Sequence, residues 1–282
     1  MADVQRLRHE LDVILELHES GELEQALARC ETLADRTADV AEDADPVRRE
    51  TAFAARFERA LLLTELGELE VAAQAYLQAA GVPVDDDDPD QRHETAMAML
   101  NRGICLDAIE EHEAALDAYE QLISRFAHAE DPVTRDQVLR ARVNRAAALL
   151  ALDQPAAAID AVEQLEVGLS RHDALDTEQL VLARRIAAAA TDVLEAPQAA
   201  AALLDGLDAL TDDDPAVRVQ VIAARLEQAE LLAGDTAGDT AAAGDRLAAV
   251  LARYGEDPDP AVQEALAAVR SRLSDLRASD AP

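Results

Sequence analysis

An all-α fold, an α-solenoid of about six antiparallel helix pairs closed by a C-terminal capping helix, is predicted for this 282-residue chain by three observations. Asp-Pro recurs at Asp45-Pro46, Asp88-Pro89 and Asp131-Pro132, in two steps of 43 residues, and returns at Asp214-Pro215 and Asp259-Pro260. Small residues recur with the same step inside the intervening segments, Ala60, Gly103 and Ala146 in one column and Ala72, Ala115 and Ala158 in another. Half of the residues are apolar while only 2% are aromatic, a balance that suits closely packed, alanine-rich helices. A fixed period of this length means stacked units, each burying its apolar face only against its neighbours.

Each Asp-Pro marks a helix start, because Asp accepts a hydrogen bond from the free N–H groups of a first turn and Pro supplies a preset φ where its missing N–H costs nothing. The first pair is expected at about 3–42, with the chain reversing at Ser20-Gly21-Glu22-Leu23. The second, at 45–81, reverses at Leu66-Gly67-Glu68-Leu69, where glycine can take a positive φ. Pairs at 89–126 and 132–170 follow; Tyr76, Tyr119 and Val162 form a large column, and Ala79, Leu122 and Leu165 continue it at helical spacing. A fifth pair at about 174–210 lacks Asp-Pro and turns near Glu195-Ala196-Pro197, and a sixth runs from Pro215 to about 254. Within the sixth, Ala233-Gly234-Asp235-Thr236-Ala237-Gly238-Asp239-Thr240 reads as a loop. The segment 260–278 is the cap that covers the last apolar face, so the whole of 1–282 reads as one solenoid domain.

The charge narrows the partners. The formal net charge is −33, from 58 acidic against 25 basic residues, and every basic residue is Arg. Such a surface repels nucleic acid and anionic membranes. Acid excess without Lys reads as halophilic adaptation, a highly charged surface quieted by concentrated salt. The start, Met1-Ala2-Asp3-Val4-Gln5-Arg6-Leu7-Arg8, has no apolar signal region, and charge interrupts every alanine-rich run, which leads us to expect a cytoplasmic protein. Cys30 and Cys105 fall at apolar helix positions without paired spacing and are expected to be buried thiols.

The repeat resembles the tetratricopeptide repeat family. The likeness rests on Gly21-Glu22-Leu23 through Ala26, Cys30 and Leu33; on Gly67-Glu68-Leu69 through Ala72, Tyr76 and Ala79; and on Asn101-Arg102-Gly103 through Ala115, Tyr119 and Leu122. It covers about residues 10–165. The step of 43 exceeds that family's period of about 34, and no Trp occurs. The openings Asp212-Asp213-Asp214-Pro215-Ala216-Val217-Arg218 and Asp257-Pro258-Asp259-Pro260-Ala261-Val262 look HEAT-like, which leaves the second half open to either kind of repeat packing; both give a helical solenoid.

No constellation for catalysis or metal binding emerges. The six His, at 9, 18, 93, 112, 128 and 172, form no ligand spacing, and Glu110-Glu111-His112-Glu113 points its groups in different directions around a helix. Asp85-Asp86-Asp87-Asp88-Pro89-Asp90 lacks the alternation and closing Glu of a calcium loop and reads as a solvated connector. Gly-rich phosphate loops and nucleophile elbows are missing, so we expect no enzyme and no cofactor.

The candidate site is a column of asparagines. Asn101 and Asn144 are the only two in the chain and stand 43 residues apart, each followed by Arg and a small residue. The family resemblance implies that such an Asn lies on the concave face of the first helices and bonds the backbone of an extended peptide, having a donor and an acceptor to offer. Arg56, Arg59, Arg102, Arg140, Arg142 and Arg145 stand on the same three predicted helices and suit an acidic segment. The competing assignment has Asn bonding a neighbouring helix and Arg paired with Glu58, Asp107 and Asp136. The function expected is therefore a non-enzymatic adaptor or scaffold that binds a partner protein or peptide. The alternative is a regulatory sensor holding a small anionic ligand in the concave channel. Dialysis from molar to millimolar KCl is expected to abolish the helical circular dichroism signal; an unchanged spectrum overturns the halophilic reading.

Overall fold

In the computed structural model, residues 2–38, 45–83, 85, 87–168, 174–205, 207, 214–234 and 239–279 are described. They form thirteen helices: α1 (Ala2–Glu19), α2 (Leu23–Arg36), α3 (Pro46–Glu65), α4 (Leu69–Ala80), α5 (Pro89–Ala108), α6 (His112–Phe126), α7 (Pro132–Ala151), α8 (Pro155–Gly168), α9 (Ala174–Val193), α10 (Pro197–Leu203), α11 (Pro215–Gly234), α12 (Thr240–Tyr254) and α13 (Pro260–Ser279). No strand occurs among the described residues. The odd-numbered helices α1 to α11 open the pairs and the even-numbered ones close them. The chain divides into two compact units, Met1–Ala148 and Leu149–Pro282, with the division inside α7. Residues 235–238 of the loop expected in the sixth pair, and the end of the fifth pair as expected at 210, lie outside the described residues.

The Asp-Pro signals act as expected. Asp45 Oδ1 accepts from the Val47 N–H at 2.9 Å, Asp88 from Asp90 at 3.0 Å, Asp131 from Thr134 at 2.7 Å, Asp214 from Ala216 at 2.8 Å and Asp259 from Ala261 at 2.9 Å. One cap and one residue just before a cap are also tied back to the preceding pair. Arg92, early in α5, reaches the cap Asp131 at Oδ2, 3.0 Å away, and Arg218, early in α11, reaches Asp257, two residues before the cap Asp259, at 2.9 Å. At Asp131 burial works against ionisation, and the Thr134 N–H and the Arg92 guanidinium outweigh it, holding the carboxyl below its ordinary range.

Five turns between paired helices share one geometry. The left-handed residues are Gly21 and Gly67, with φ 79° and 81°, then Glu110, Asp153 and Glu195, with φ 63°, 59° and 60°. In each the next N–H bonds the carbonyl five residues back: Glu22 to Leu17, Glu68 to Leu63, Glu111 to Leu106, Gln154 to Leu149 and Ala196 to Thr191. These bonds satisfy carbonyls that a helix end leaves open. The fifth pair, which lacks Asp-Pro, thus turns like the first four. A left-handed conformation costs a non-glycine residue about 1–2 kcal/mol, less where an Asx side chain bonds locally, and the packing of each pair offsets it.

The small-residue columns lie where helices approach. In the first unit Ala60, Ala72 and Ala115 share one core with Tyr76 and Tyr119, and Gly103 is buried beside Tyr119. A Cβ at Gly103 would stand 2.2 Å from Tyr119 Cε1, so the Tyr119 ring occupies the space that the absent side chain leaves. In the second unit α13 buries Val262, Leu266, Val269, Leu273 and Leu276 against α11 and α12, the expected cap. Cys30 and Cys105 are buried and free, and burial pushes the Cys30 thiol up to about 12. Gly103→Ala is expected to destabilise the chain by about 1–3 kcal/mol through overpacking. Urea unfolding should show the loss shrinking when Tyr119→Leu is added.

Candidate functional site

Three residues of each early unit fall into a polar seam. The asparagine column is Glu58 on α3, Asn101 on α5 and Asn144 on α7; the tyrosine column is Cys30, Tyr76 and Tyr119 on the preceding second helices; the third is His18, Thr64 and Asp107, at the ends of the preceding first helices. The members meet. Asn101 and Thr64 both favour ionisation of the Tyr76 hydroxyl, although burial dominates and raises its pKa. Burial likewise raises that of Tyr119, whose hydroxyl donates to Asp107 Oδ2 at 2.8 Å and faces Asn144. Asp107 Oδ1 lies 3.1 Å from His112 Nδ1. In the first unit's version Glu58 is buried and its carboxylate engages His18 Nδ1, while His18 Nε2 lies 2.9 Å from Glu65 Oε1.

Both asparagines are half-buried. Each stands on a stripe of its own helix defined by steps of three and four residues: Glu94, Met97, Asn101, Ile104 and Ala108 on α5, and Val133, the buried Gln137, Arg140, Asn144, Ala147 and Ala151 on α7. One column along these stripes is apolar. It comprises Leu15 at 41% exposure, Leu61, Ile104 at 38% and Ala147, on α1, α3, α5 and α7.

The arginines do not share that stripe, with one exception. Arg140 is exposed, one turn from Asn144. Arg56 is a strut: it donates to the carbonyls of Thr37 at 3.0 Å and Ala38 at 3.2 Å, closing the end of α2. Arg59 approaches Glu31 at 3.8 Å, and Arg145 approaches Glu120 at 3.1 Å. These partners lie on the preceding second helices and differ from the Glu58, Asp107 and Asp136 expected from sequence. Arg56 and Arg59 line a cleft of about 680 Å³ with Glu31, Asp35 and Gln78, between α2, α3 and α4. Arg102 lines a smaller cleft, about 170 Å³, between α4, α5 and α6. Arg142 is half-buried on α7.

Arg225, 2% exposed in α11, belongs to none of the repeat columns. It donates to the Leu204 carbonyl at 2.6 Å and to Gln228 Oε1 at 2.7 Å, and Gln228 Nε2 donates to the Ala201 carbonyl at 2.7 Å. The pair satisfies carbonyls at the end of the short α10. An Arg three residues before a Gln on a helix is the only sequence signal for it, and that spacing is common. A third cleft, about 410 Å³, lies between α9, α10 and α11 in the second unit and includes Arg185, whose Nη1 reaches Gln220 at 2.6 Å and whose guanidinium engages Glu227. Among the described residues no group of three or more His, Cys, Asp or Glu is placed to hold a metal ion, and no helix is long and apolar enough to cross a membrane.

No protein-family model and no curated protein matches the sequence. Solved structures do. The chain is similar to a putative kinesin light chain of Podospora anserina with nearly identical TPR-like repeats, at a TM-score of 0.53 and 18% identity over 74% of this chain and 96% of that one. It is similar also to the apo form of RapI, at a TM-score of 0.55 and 10% identity over 97% and 98% of the two chains. At such identities the likeness is one of fold: a helical solenoid of tetratricopeptide type.

His18 yields a pH dependence. Burial pulls its pKa down, and the bonds to Glu65 and Glu58 outweigh this and raise it above the ordinary 6.5. A raised histidine stabilises the fold fully below its unfolded pKa and ceases to do so as pH rises through the folded one. Thermal melts are therefore expected to show the native chain losing its advantage over His18→Gln across the range that runs upward from the ordinary histidine value of 6.5. A constant difference across that range would overturn the role of the protonated ring.

Proposed function

We propose that this tetratricopeptide-like chain is a non-enzymatic protein-interaction adaptor, which holds an extended segment of a partner along the stripe of its first helices. One observation carries the reading: the apolar column Leu15, Leu61, Ile104 and Ala147 runs beside the column that holds Asn101 and Asn144. Packed helices stand about 8–10 Å apart, and an extended peptide rises about 3.3 Å per residue. A bound strand would thus meet successive columns at about every third residue. Apolar side chains would rest on Leu61 and Ile104, and backbone groups would reach the Asn amides.

The seam explains how the asparagines would be held ready. An amide offers a donor and an acceptor. Contact with Tyr76 or Tyr119 occupies one side of each and fixes its orientation, leaving the other for a peptide group. Arg140, exposed beside Asn144, adds a cation at that end of the stripe and favours an acidic residue in the partner.

The test is affinity purification from the host at native salt, comparing the native chain, Asn101→Ala/Asn144→Ala and Ile104→Ser, with mass spectrometry as readout. A partner captured by the native chain is expected to drop about tenfold or more in both variants, the order expected from losing one or two interface bonds, while the melting temperature stays within a few degrees. Equal capture by all three overturns the stripe as the interface. A collapse in melting temperature of the double variant assigns the asparagines to the fold instead.

A further inference from the structure

The repeat supplies its own control for the arginine that follows each member of the asparagine column. Arg59, Arg102 and Arg145 occupy one column, and the residues opposite them on the preceding second helices are Glu31, Leu77 and Glu120. Where the opposite residue is Glu, the arginine is paired, at 3.8 Å for Arg59 and 3.1 Å for Arg145. In the middle unit the acid is replaced by Leu77, which is 42% exposed, and Arg102 has no ion-pair or hydrogen-bond partner among the described residues. This happens in a chain with 58 acidic residues to 25 basic ones, where a spare carboxylate is the commonest group available.

The surroundings of Arg102 form a small amphipathic cleft. Leu77 and Ala80 of α4, Met99 of α5 and Ala118 of α6 line it, with the Gln121 amide and the Arg125 guanidinium on the α6 side. No carboxylate is among its lining residues, whereas the equivalent cleft one unit earlier has Glu31 and Asp35 in its wall. Arg125 also lies over the Phe126 ring, 5.1 Å from its centroid, which holds it near the rim. The volume, about 170 Å³, is too small for a packed helix and suits a short branched alkyl group carrying one acid.

We propose that the α4–α5–α6 cleft binds an external aliphatic carboxylate, its acid paired with Arg102 and its alkyl group on Leu77, Ala80 and Met99. The missing glutamate of the middle unit is thereby supplied by the ligand. A guanidinium takes a carboxylate through two parallel N–H bonds, and the apolar wall raises the strength of that pair over one in open water. The site is separate from the first-helix stripe and stands or falls without it. A free branched-chain acid and the last residue of a peptide present the same chemistry.

The experiment uses the full chain labelled with 13C at the methionine methyls. The sequence has three methionines, of which Met99 lines the cleft and Met97 stands on the first-helix stripe of the same helix, an internal control. N-acetyl-leucine is expected to shift the Met99 methyl saturably and leave Met97 in place, whereas neutral N-acetyl-leucinamide binds about tenfold more weakly or not at all, the size expected for a charge-assisted bond. Arg102→Gln should remove the response. Leu77→Glu should remove it too, by restoring the internal acid found at 31 and 120, with the melting temperature unchanged or raised. Acetyl-Ala-Ala-Leu separates the sources: saturation at lower concentration than the free acid assigns a chain end, and at higher concentration a free acid. Equal responses to acid and amide, an undiminished response in Arg102→Gln, or no Met99 shift with any of these probes overturns the proposal.

Discussion

The reversal between the two helices of a pair is the constraint from which the rest of the architecture follows. At Gly21, Gly67, Glu110, Asp153 and Glu195 the chain enters the left-handed region, and the next N–H closes on a carbonyl five residues back. That geometry sets the distance between the paired helices. It therefore fixes which residues of the second helix face the first and which face the next unit. The small columns can work only because this register repeats: Gly103 must arrive under the Tyr119 ring, and a shift of one residue would rotate it about 100° away.

The seam built on that register shows one position solved three ways. The first unit uses Cys30, Glu58 and His18, an acid and a base; the second uses Tyr76, Asn101 and Thr64, all neutral; the third uses Tyr119, Asn144 and Asp107, with His112 beside the acid. A buried polar atom needs a partner, so the members of the three columns vary together. Only the neutral amides retain a donor and an acceptor in one group, which sets the second and third units apart from the first.

Much of the fold was legible because its signals are local. Asp-Pro caps a helix wherever it stands, and all five pairs were read as helix starts. The turn at Glu195 was placed by its proline, although the hydrogen bonds that make it equivalent to the other turns could not be. The arginines were a different matter. Periodicity puts Arg56, Arg59, Arg102, Arg140, Arg142 and Arg145 on three like helices, but long side chains choose their partners by three-dimensional reach. Arg56 closes the end of α2, Arg59 and Arg145 lean to preceding helices, and only Arg140 stands with Asn144 on the stripe.

By itself the sequence determined the class of fold, the helix starts at Asp-Pro and the positions where helices approach closely, since capping, turn preference and the spacing of small residues act within a few residues of chain. The tertiary structure alone decided which polar groups are consumed by the fold and which are left over. Whether a guanidinium is a strut, an ion-pair partner or an open site depends on what the preceding helix places opposite it, about 25 residues away, and a Leu77 in place of a Glu changes the answer without disturbing any local pattern.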